Sequence, residues 1–180
     1  MARSIVTRVG DSGDTGLLYG QRRPKHDPQI EAVGACDELN VALGAVKLLA
    51  GNPATRRWVE AVQKELIALM GEIACAESDA ARYGASAFAR VTPGGLRRLD
   101  RTAARLEAAG LCLDGWASPG ANPLALAWDQ ARVAARRSER RMAALAGAGR
   151  TLRPVTGQWI NRLSDVLWLF AREAETKTGR

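Results

Sequence analysis

The chain has 180 residues, 47% of them hydrophobic, with a formal net charge of +7 and a sequence pI near 10.0. This composition predicts one domain with a substantial core and excludes a disordered chain. The positive charge comes mostly from arginine and favours an anionic partner, such as nucleic acid, a membrane surface or a phosphorylated small molecule. Because His26 is the single histidine, the sequence excludes a multi-histidine zinc site and argues against a ferritin-like di-iron site. His26 lies between Lys25 and Asp27, and we interpret it as a solvent-facing loop residue.

The first feature in chain order is the segment TRVGDSGDTG at residues 7–16. Its three glycines allow backbone N–H groups to approach an anion closely, and its threonine hydroxyls add further donors. This chemistry is typical of a phosphate-binding loop. A flexible arm with ordinary turns would have the same composition, so both interpretations stay open for the segment alone.

Five helical segments are predicted after this arm, and none of the chain shows the alternation typical of a strand. Four of them begin where a capping or turn residue precedes a proline, and the fifth begins near Pro154. Residues 79–91 lack an apolar stripe and are predicted to form a loop. The expected helix starts are Asp27-Pro28, Asn52-Pro53, Thr92-Pro93 and Asn122-Pro123, and the fourth helix is expected to end near Ala146.

The fourth predicted helix carries five arginines and one glutamate within residues 132–141. Arg132, Arg136 and Arg140 are four positions apart and therefore share one helix face, with Glu139 on its flank. A row of guanidinium groups beside a carboxylate suits a polyphosphate chain, with the acid available for an arginine or a metal-bound water. A solvated basic face, or a surface that touches nucleic acid, would produce the same pattern.

The three cysteines form no CxxC pair. Cys36 and Cys75 have apolar surroundings, so we interpret them as small core residues in a reducing compartment, whereas Cys112 lies in a connection. The first residues contain no signal-peptide apolar region, and no apolar run approaches the length of a membrane span. We therefore expect a cytoplasmic protein that does not enter a membrane.

Five motifs, in order along nearly the whole chain, resemble the PduO-type ATP:cob(I)alamin adenosyltransferases. Residues 7–15 resemble that family's T-K-T-G-D-x-G-x-T arm, and residues 22–25 its basic R-x-x-K segment. Residues 31–40, EAVGACDELN, resemble E-A-x-G-x-x-D-E-L-N, and residues 161–165 match N-R-L-S-D. Pro119-Gly120, followed by the arginine row, resembles P-G-G followed by A-R-x-x-x-R-R-A-E-R.

The resemblance implies an all-α, five-helix bundle of the ferritin-like, cobalamin adenosyltransferase type. Residues 1–180 would form a single domain, with residues 1–26 as an N-terminal ATP-binding arm and residues 27–177 as the helix bundle. It implies a homotrimer with active sites between neighbouring subunits. The implied reaction is attack by the cobalt(I) of a corrinoid on the 5′ carbon of ATP, giving adenosylcobalamin and triphosphate, with Mg²⁺ assisting. A reductase or a B12-dependent enzyme is an implied further partner.

The resemblance also assigns candidate site residues. Those implied to bind ATP are Thr7, Arg8, Val9, Gly10, Thr15, Gly16, Lys25, Arg136, Arg137, Ser138, Glu139, Arg140 and Asn161. Glu139 is the candidate magnesium ligand, either directly or through a water. Arg136, together with Asp37 and Arg132, which resemble the family's intersubunit ion pair, is assigned to catalysis. Taken without the motifs, Asp37 would be expected to bond within its own helix and Asn161 to be a buried cap.

This sequence departs from the family pattern mainly where the corrinoid would bind. Trp116 stands where the family has a phenylalanine that helps to keep a lower ligand off cobalt, and Ala121 replaces the second glycine of P-G-G. Trp128-Asp129 stands where leucine-histidine is common, which places an acid one turn before Arg132 that could compete for it. Val9 replaces a threonine and removes one hydroxyl donor. The nucleotide half of the predicted site is thus closer to the family than the corrinoid half.

Two alternatives to the adenosyltransferase hypothesis come from different classes. One is a divergent relative that binds ATP and uses or senses another corrinoid form. The other is a basic helical module that binds nucleic acid. The arginines argue against it, because they concentrate on one helix without the aromatic stacking platforms typical of single-strand binders. The expectation is therefore no nucleic-acid partner.

Overall fold

The computed structural model describes residues 5–111 and 116–176, and Cys112 lies outside them. Five long helices contain most of these residues: α1 (Pro28–Leu49), α2 (Pro53–Ile73), α4 (Pro93–Glu107), α5 (Pro123–Gly147) and α6 (Pro154–Thr176). A 3₁₀ turn (Glu77–Asp79) and the short helix α3 (Ala80–Gly84) connect α2 to α4. Two short strands, β1 (Asp14–Gly16) and β2 (Arg22–Pro24), precede α1. The expectation of a mostly helical chain is confirmed.

The helix starts follow the predicted capping pattern. Each long helix begins at a proline, whose fixed φ and missing N–H suit the first helical position. The side chain of the residue before it accepts a hydrogen bond from a first-turn N–H at α1, α2, α4 and α5. These capping residues are Asp27, Asn52, Thr92 and Asn122.

Apolar faces of all five long helices meet in one core. α1 packs against α2 and α5, and α6 packs against α5 and α4. Trp58 of α2 makes edge contacts with Trp128 of α5 and Phe170 of α6, at centroid distances of 6.0 and 4.8 Å. Trp128 and Phe170 stack at 4.5 Å, so aromatic side chains join α2, α5 and α6 at one end of the core.

Two details of the sequence interpretation are wrong. The predicted five helices are six in the described ranges, because α3 lies within residues 79–91, which were expected to form a loop. A helix this short has no readable periodicity. Contacts with the segment that follows stabilise it: Tyr83 is buried and stacks on Phe88 at 5.8 Å, and Arg90 donates to the carbonyl of Gly84 at 2.9 Å.

The expected absence of strands is the second correction. β1 and β2 pair antiparallel, with Thr15 opposite Arg23. Strands of three residues are too short to show alternation, so only the backbone pairing reveals them. Within the described part of the chain, no helix is both long and apolar enough to span a membrane.

A half-buried carboxylate joins three helices. Glu65 of α2 accepts hydrogen bonds from Arg98 Nη2 of α4 at 2.6 Å and from Trp159 Nε1 of α6 at 2.7 Å. Its Oε1 lies where a side chain at Gly95 would begin, since a Cβ there would be 2.5 Å from it. A side chain at position 95 would therefore displace the carboxylate of Glu65.

We expect Gly95→Ala to lower the free energy of unfolding by about 1–3 kcal/mol, because Glu65 must move away from Arg98 and Trp159. Urea denaturation measures the change. Gly157→Ala is the matched control, since this exposed glycine in the first turns of α6 has open space around its Cβ position. The control should be neutral or gain up to about 1 kcal/mol, and an equal loss in both variants would contradict the assignment.

Candidate functional site

The arginine row lies on α5, which packs between α1 and α6. Arg136 and Arg140 are exposed, and Arg132 is half-buried. As predicted from their spacing, the three lie on consecutive turns of one helix. This face therefore presents positive charge to solvent along the middle of α5.

Arg137 and Arg141 instead point to α1. Arg137 pairs with Glu31 at 3.3 Å and with Glu38 at 3.4 Å, and Arg141 pairs with Glu31 at 3.0 Å. All four side chains are substantially exposed, so each pair contributes at most about 1 kcal/mol. Arg137 is thus held weakly by two carboxylates that a stronger anion could replace.

Glu139 forms a second polar group with α6. Its Oε1 accepts a hydrogen bond from Asn161 Nδ2 at 2.9 Å. Burial raises the pKa of Asp165, one turn further along α6, and the nearby charge of Glu139 raises it further, whereas Arg162 and Arg136 oppose the shift. Asp165, Glu139 and Arg136 therefore lie close enough to influence one another electrostatically.

Glu139 could bind Mg²⁺ only together with a second molecule that supplies further oxygen atoms. The described residues contain no cluster of three or more side chains placed to hold a metal by themselves. Mg²⁺ in nucleotide sites commonly takes one or two carboxylates together with phosphate oxygens and waters. Glu139, oriented by Asn161, can supply such a carboxylate.

Ser138 faces the protein interior. It is fully buried, and its Oγ lies 2.8 Å from the carbonyl oxygen of Ala35 on α1 and 3.0 Å from that of Ala134. The hydroxyl donor is used between helices α1 and α5. In this structure Ser138 fixes the contact of those helices, and the hydroxyl is directed away from the exposed arginines.

Residues 8–13 of the arm form two consecutive turns, which together make a compact hook. Arg8 adopts a left-handed backbone (φ 58°), and the N–H of Asp11 donates to its carbonyl at 3.2 Å. Gly13 (φ 91°) supplies the next turn and accepts from the N–H of Lys25 at 2.8 Å. These turns leave Thr7 and Val9 exposed and bring Gly10 beside Lys25. A Cβ at Gly10 would lie 3.3 Å from Lys25 Nζ, so the ammonium group sits directly over this glycine.

Arg22 stabilises the hook from β2. Its Nη2 donates to the carbonyls of Val9 at 3.0 Å and Asp14 at 3.2 Å. Thr15 and Gly16 lie on β1, opposite Arg23 and Arg22. The predicted arm residues are therefore gathered around one hairpin that also carries Lys25.

The hairpin is anchored near the end of α2. The N–H of Leu18 donates to the carbonyl of Ala74 at 3.0 Å, Gln21 donates to Ser78 and Asp79, and Arg82 lies over the ring of Tyr19 at 4.0 Å. Within residues 5–111 and 116–176, the contacts described above form two groups. One surrounds the arm and Lys25, and the other lies on α5 and α6.

The remaining predicted residues are Asp37, Arg132, Trp116 and His26. Asp37 is exposed on α1. Arg132 Nε donates to Asp129 Oδ1 at 2.9 Å, so the acid one turn earlier does bind it within the same chain. Trp116 is fully exposed in the connection between α4 and α5. His26 is exposed, as expected.

Sequence reasoning assigned no role to two residues that the structure places at these groups. Arg22 was within the quoted R-x-x-K segment, and Asp165 ends the quoted N-R-L-S-D motif. In both cases the motif was the available signal. Their contacts depend on the hairpin turns and on the packing of α5 against α6, which no local pattern contains.

The cobalamin adenosyltransferase family model matches residues 5–174. The chain belongs to this family. The corrinoid adenosyltransferase PduO of Salmonella typhimurium (strain LT2) is 36% identical over 176 residues, which cover 96% of this chain and 50% of that protein. The corrinoid adenosyltransferase of Mycobacterium leprae is 31% identical, covering 96% of this chain and 91% of that protein. The chain spans about half the length of the PduO relatives from Salmonella and Citrobacter freundii.

Solved structures of the family share this fold. A variant PduO-type ATP:corrinoid adenosyltransferase from Lactobacillus reuteri, complexed with cobalamin and ATP, matches with a TM-score of 0.85 and 27% identity. The match covers 98% of this chain and 96% of that chain. Another variant from the same source, complexed with ATP, matches with a TM-score of 0.86 and 26% identity over the same shares of the two chains.

We expect Ser138→Ala to lower the free energy of unfolding of this family member by about 1 kcal/mol, because it removes the buried hydrogen bond between Ser138 Oγ and the Ala35 carbonyl that joins α5 to α1. Thermal or urea unfolding provides the measurement. Ser164→Ala is the control, since the buried Ser164 hydroxyl donates to the carbonyl of Asn161 within its own helix, at 2.9 Å. Equal losses in the two variants would contradict the role of Ser138 between α1 and α5.

Proposed function

We propose that this chain transfers the 5′-deoxyadenosyl group of ATP to the cobalt(I) of a corrinoid, giving adenosylcobalamin and triphosphate. The observation that carries the proposal is the family match over residues 5–174, in a chain whose α5 presents exposed arginines beside a polar Glu139–Asn161 pair. In this reaction a cobalt–carbon bond forms and the bond between C5′ and the phosphate oxygen breaks. Because cobalt(I) supplies the electron pair, no protein nucleophile is needed.

ATP would be held by the arm and by α5. Gly10 and Lys25 lie together at the hook, where backbone N–H groups and an ammonium suit phosphate oxygens. Arg136 and Arg140 would neutralise charge on the leaving triphosphate, and Arg137 would join them by leaving Glu31 and Glu38. Glu139 would take a magnesium ion bound to the phosphates, and Asn161 would hold the nucleotide. Thr7, Arg8, Val9, Thr15 and Gly16 complete the proposed arm site.

The two groups would meet between subunits. Within one chain the arm is anchored near the end of α2, whereas the arginine row lies on α5 against α1 and α6. A homotrimer that places the arm of one subunit over α5 of its neighbour would complete the site. In this assembly residues 1–26 are the ATP-binding arm of a single domain, and residues 27–177 form its ferritin-like bundle of five long helices.

The corrinoid would bind near the connection that carries Trp116. The full exposure of this indole in one chain suits a residue that packs against a ligand or a neighbouring subunit. Its bulk would help to keep a lower ligand off cobalt and so make cobalt(II) easier to reduce. A reductase and a B12-dependent acceptor enzyme are proposed partners. The two described cysteines, Cys36 and Cys75, are unpaired and buried, which supports a cytoplasmic location.

Arg136→Ala should lower adenosyl transfer by about 100-fold or more while the protein stays folded, because its exposed guanidinium would neutralise developing triphosphate charge. Anaerobic incubation with ATP and reduced cobalamin, followed by absorbance of the cobalt–carbon bond, measures the rate. Arg101→Ala, which removes an exposed arginine from α4, should retain full activity. Near-normal turnover of the Arg136 variant would refute the assignment.

Asp37→Asn should lower turnover if Asp37 pairs with Arg132 of a neighbouring subunit. In a double-mutant cycle with Arg132→Ala, the effects should be strongly non-additive because either change breaks the same contact. Additive effects would exclude the pair.

Salt dependence separates this function from a nucleic-acid-binding module. Binding of a duplex oligonucleotide driven by counterion release would weaken steeply between low and moderate salt. We expect ATP binding at low micromolar protein and no comparable oligonucleotide binding at physiological salt. Tight oligonucleotide binding without ATP affinity would favour the alternative.

A further inference from the structure

Asp129 of α5 binds two arginines at once. Its Oδ1 accepts from Arg132 Nε at 2.9 Å, and its Oδ2 accepts from Arg172 Nη2 of α6 at 2.6 Å. The side chain of Asp129 is 5% exposed, and so is that of Arg172. The Arg132 side chain, by contrast, is 24% exposed. The carboxylate thus connects a buried guanidinium on α6 with one that reaches the surface.

The pair with Arg172 is poorly suited to a purely structural purpose. A buried ion pair offsets the loss of hydration only when its remaining donors are also hydrogen-bonded. Arg172 uses the single nitrogen Nη2 for both Asp129 and Glu175, the latter at 3.1 Å. Its Nε and Nη1 are buried and have no hydrogen-bond partner among the described residues. Two apolar residues of similar size would serve packing at least as well.

The bond between Asp129 and Arg132 determines which edge of the Arg132 guanidinium group can bind another partner. Asp129 engages Nε, which lies on one edge of the planar guanidinium fork. The edge formed by the two terminal nitrogens is then the one suited to a second carboxylate in bidentate geometry. Since Asp129 and Arg132 are one turn apart on α5, this geometry fixes the fork relative to the helix that also carries the exposed Arg136.

We propose that Asp129 is a positioning residue that orients Arg132 for a contact with Asp37 of a neighbouring subunit. This inference rests on the proposed function, in which Asp37 and Arg132 close the site between subunits. Asp129 therefore cooperates with Asp37: it occupies the inner edge of the fork, and the outer edge remains for the intersubunit partner. Arg172 binds the other oxygen of the Asp129 carboxylate from α6, and this bond contributes to the packing of α5 on α6.

The test compares Asp129→Asn with Arg172→Met. Removing the carboxylate charge should weaken self-association about tenfold and lower kcat/KM for reduced cobalamin about tenfold, with KM for ATP changed by less than about twofold. Arg172→Met leaves the bond between Asp129 and Arg132 in place. It should reduce the unfolding midpoint while changing association and kcat/KM by less than about twofold. Sedimentation velocity and the anaerobic absorbance assay supply the two readouts.

A cycle with Arg132→Ala separates positioning from general destabilisation. Asp129→Asn should have no further effect on association once Arg132 is absent. If Asp129→Asn alone fails to fold, the double variant with Arg172→Met, which removes both buried charges, replaces it and should show the same loss of association. Unchanged association in the Asp129 variant, or an equal loss in Arg172→Met, would overturn the inference.

The two proposals fail in different ways. A wild-type protein that transfers adenosyl groups as a monomer would overturn the role of Asp129 and leave the function intact. A wild-type protein without turnover, whose association still depends jointly on Asp129 and Arg132, would overturn the function and retain the contact.

Discussion

Helix α5 must bury one face and keep another charged, and the rest of the site depends on how this is achieved. It packs against both α1 and α6, with Trp128, Ala131 and Ala135 in the core. The buried bond between Ser138 and the Ala35 carbonyl fixes its rotation relative to α1. With that rotation set, Arg136 and Arg140 face solvent and Glu139 meets Asn161. A rotation of α5 by about 100° would exchange these roles, because neighbouring positions on a helix differ by about that angle in direction.

Charge near this helix is organised by carboxylates on three elements. Glu31 and Glu38 of α1 hold Arg137, Asp129 holds Arg132, and Asp165 of α6 lies near Arg136. The surface pairs are weak because water screens them, whereas the bonds of Asp129 lie in the interior. Arginines in one continuous sequence run therefore differ in how easily a ligand could recruit them. Arg136 and Arg140 are exposed, whereas Arg132 is half-buried.

The sequence alone was sufficient for the helix starts and for the residues that the family shares. Caps such as Asn52 and Asn122 are local chemistry, and the spacing of the arginines sets their common face before any packing is known. The β1–β2 hairpin and α3 could not be predicted, since each element is too short for its period to repeat several times. The hairpin is also held by a residue distant in sequence, because the N–H of Leu18 donates to the carbonyl of Ala74. The same limit applies to Arg172, which nothing local connects to Asp129, 43 positions earlier. Which residues meet between subunits stays a prediction, because that geometry belongs to an assembly.

The acids that hold Arg137 and Arg141 also affect selectivity. A bare stripe of guanidinium groups would attract any polyanion that diffuses past, including nucleic acid, through its long-range field. Glu31 and Glu38 cancel part of that field while no ligand is bound. A compact, highly charged group that reaches the stripe can displace them at short range, whereas a diffuse polymer meets a nearly neutral edge. The α1 acids would thus act as a filter against nonspecific polyelectrolytes.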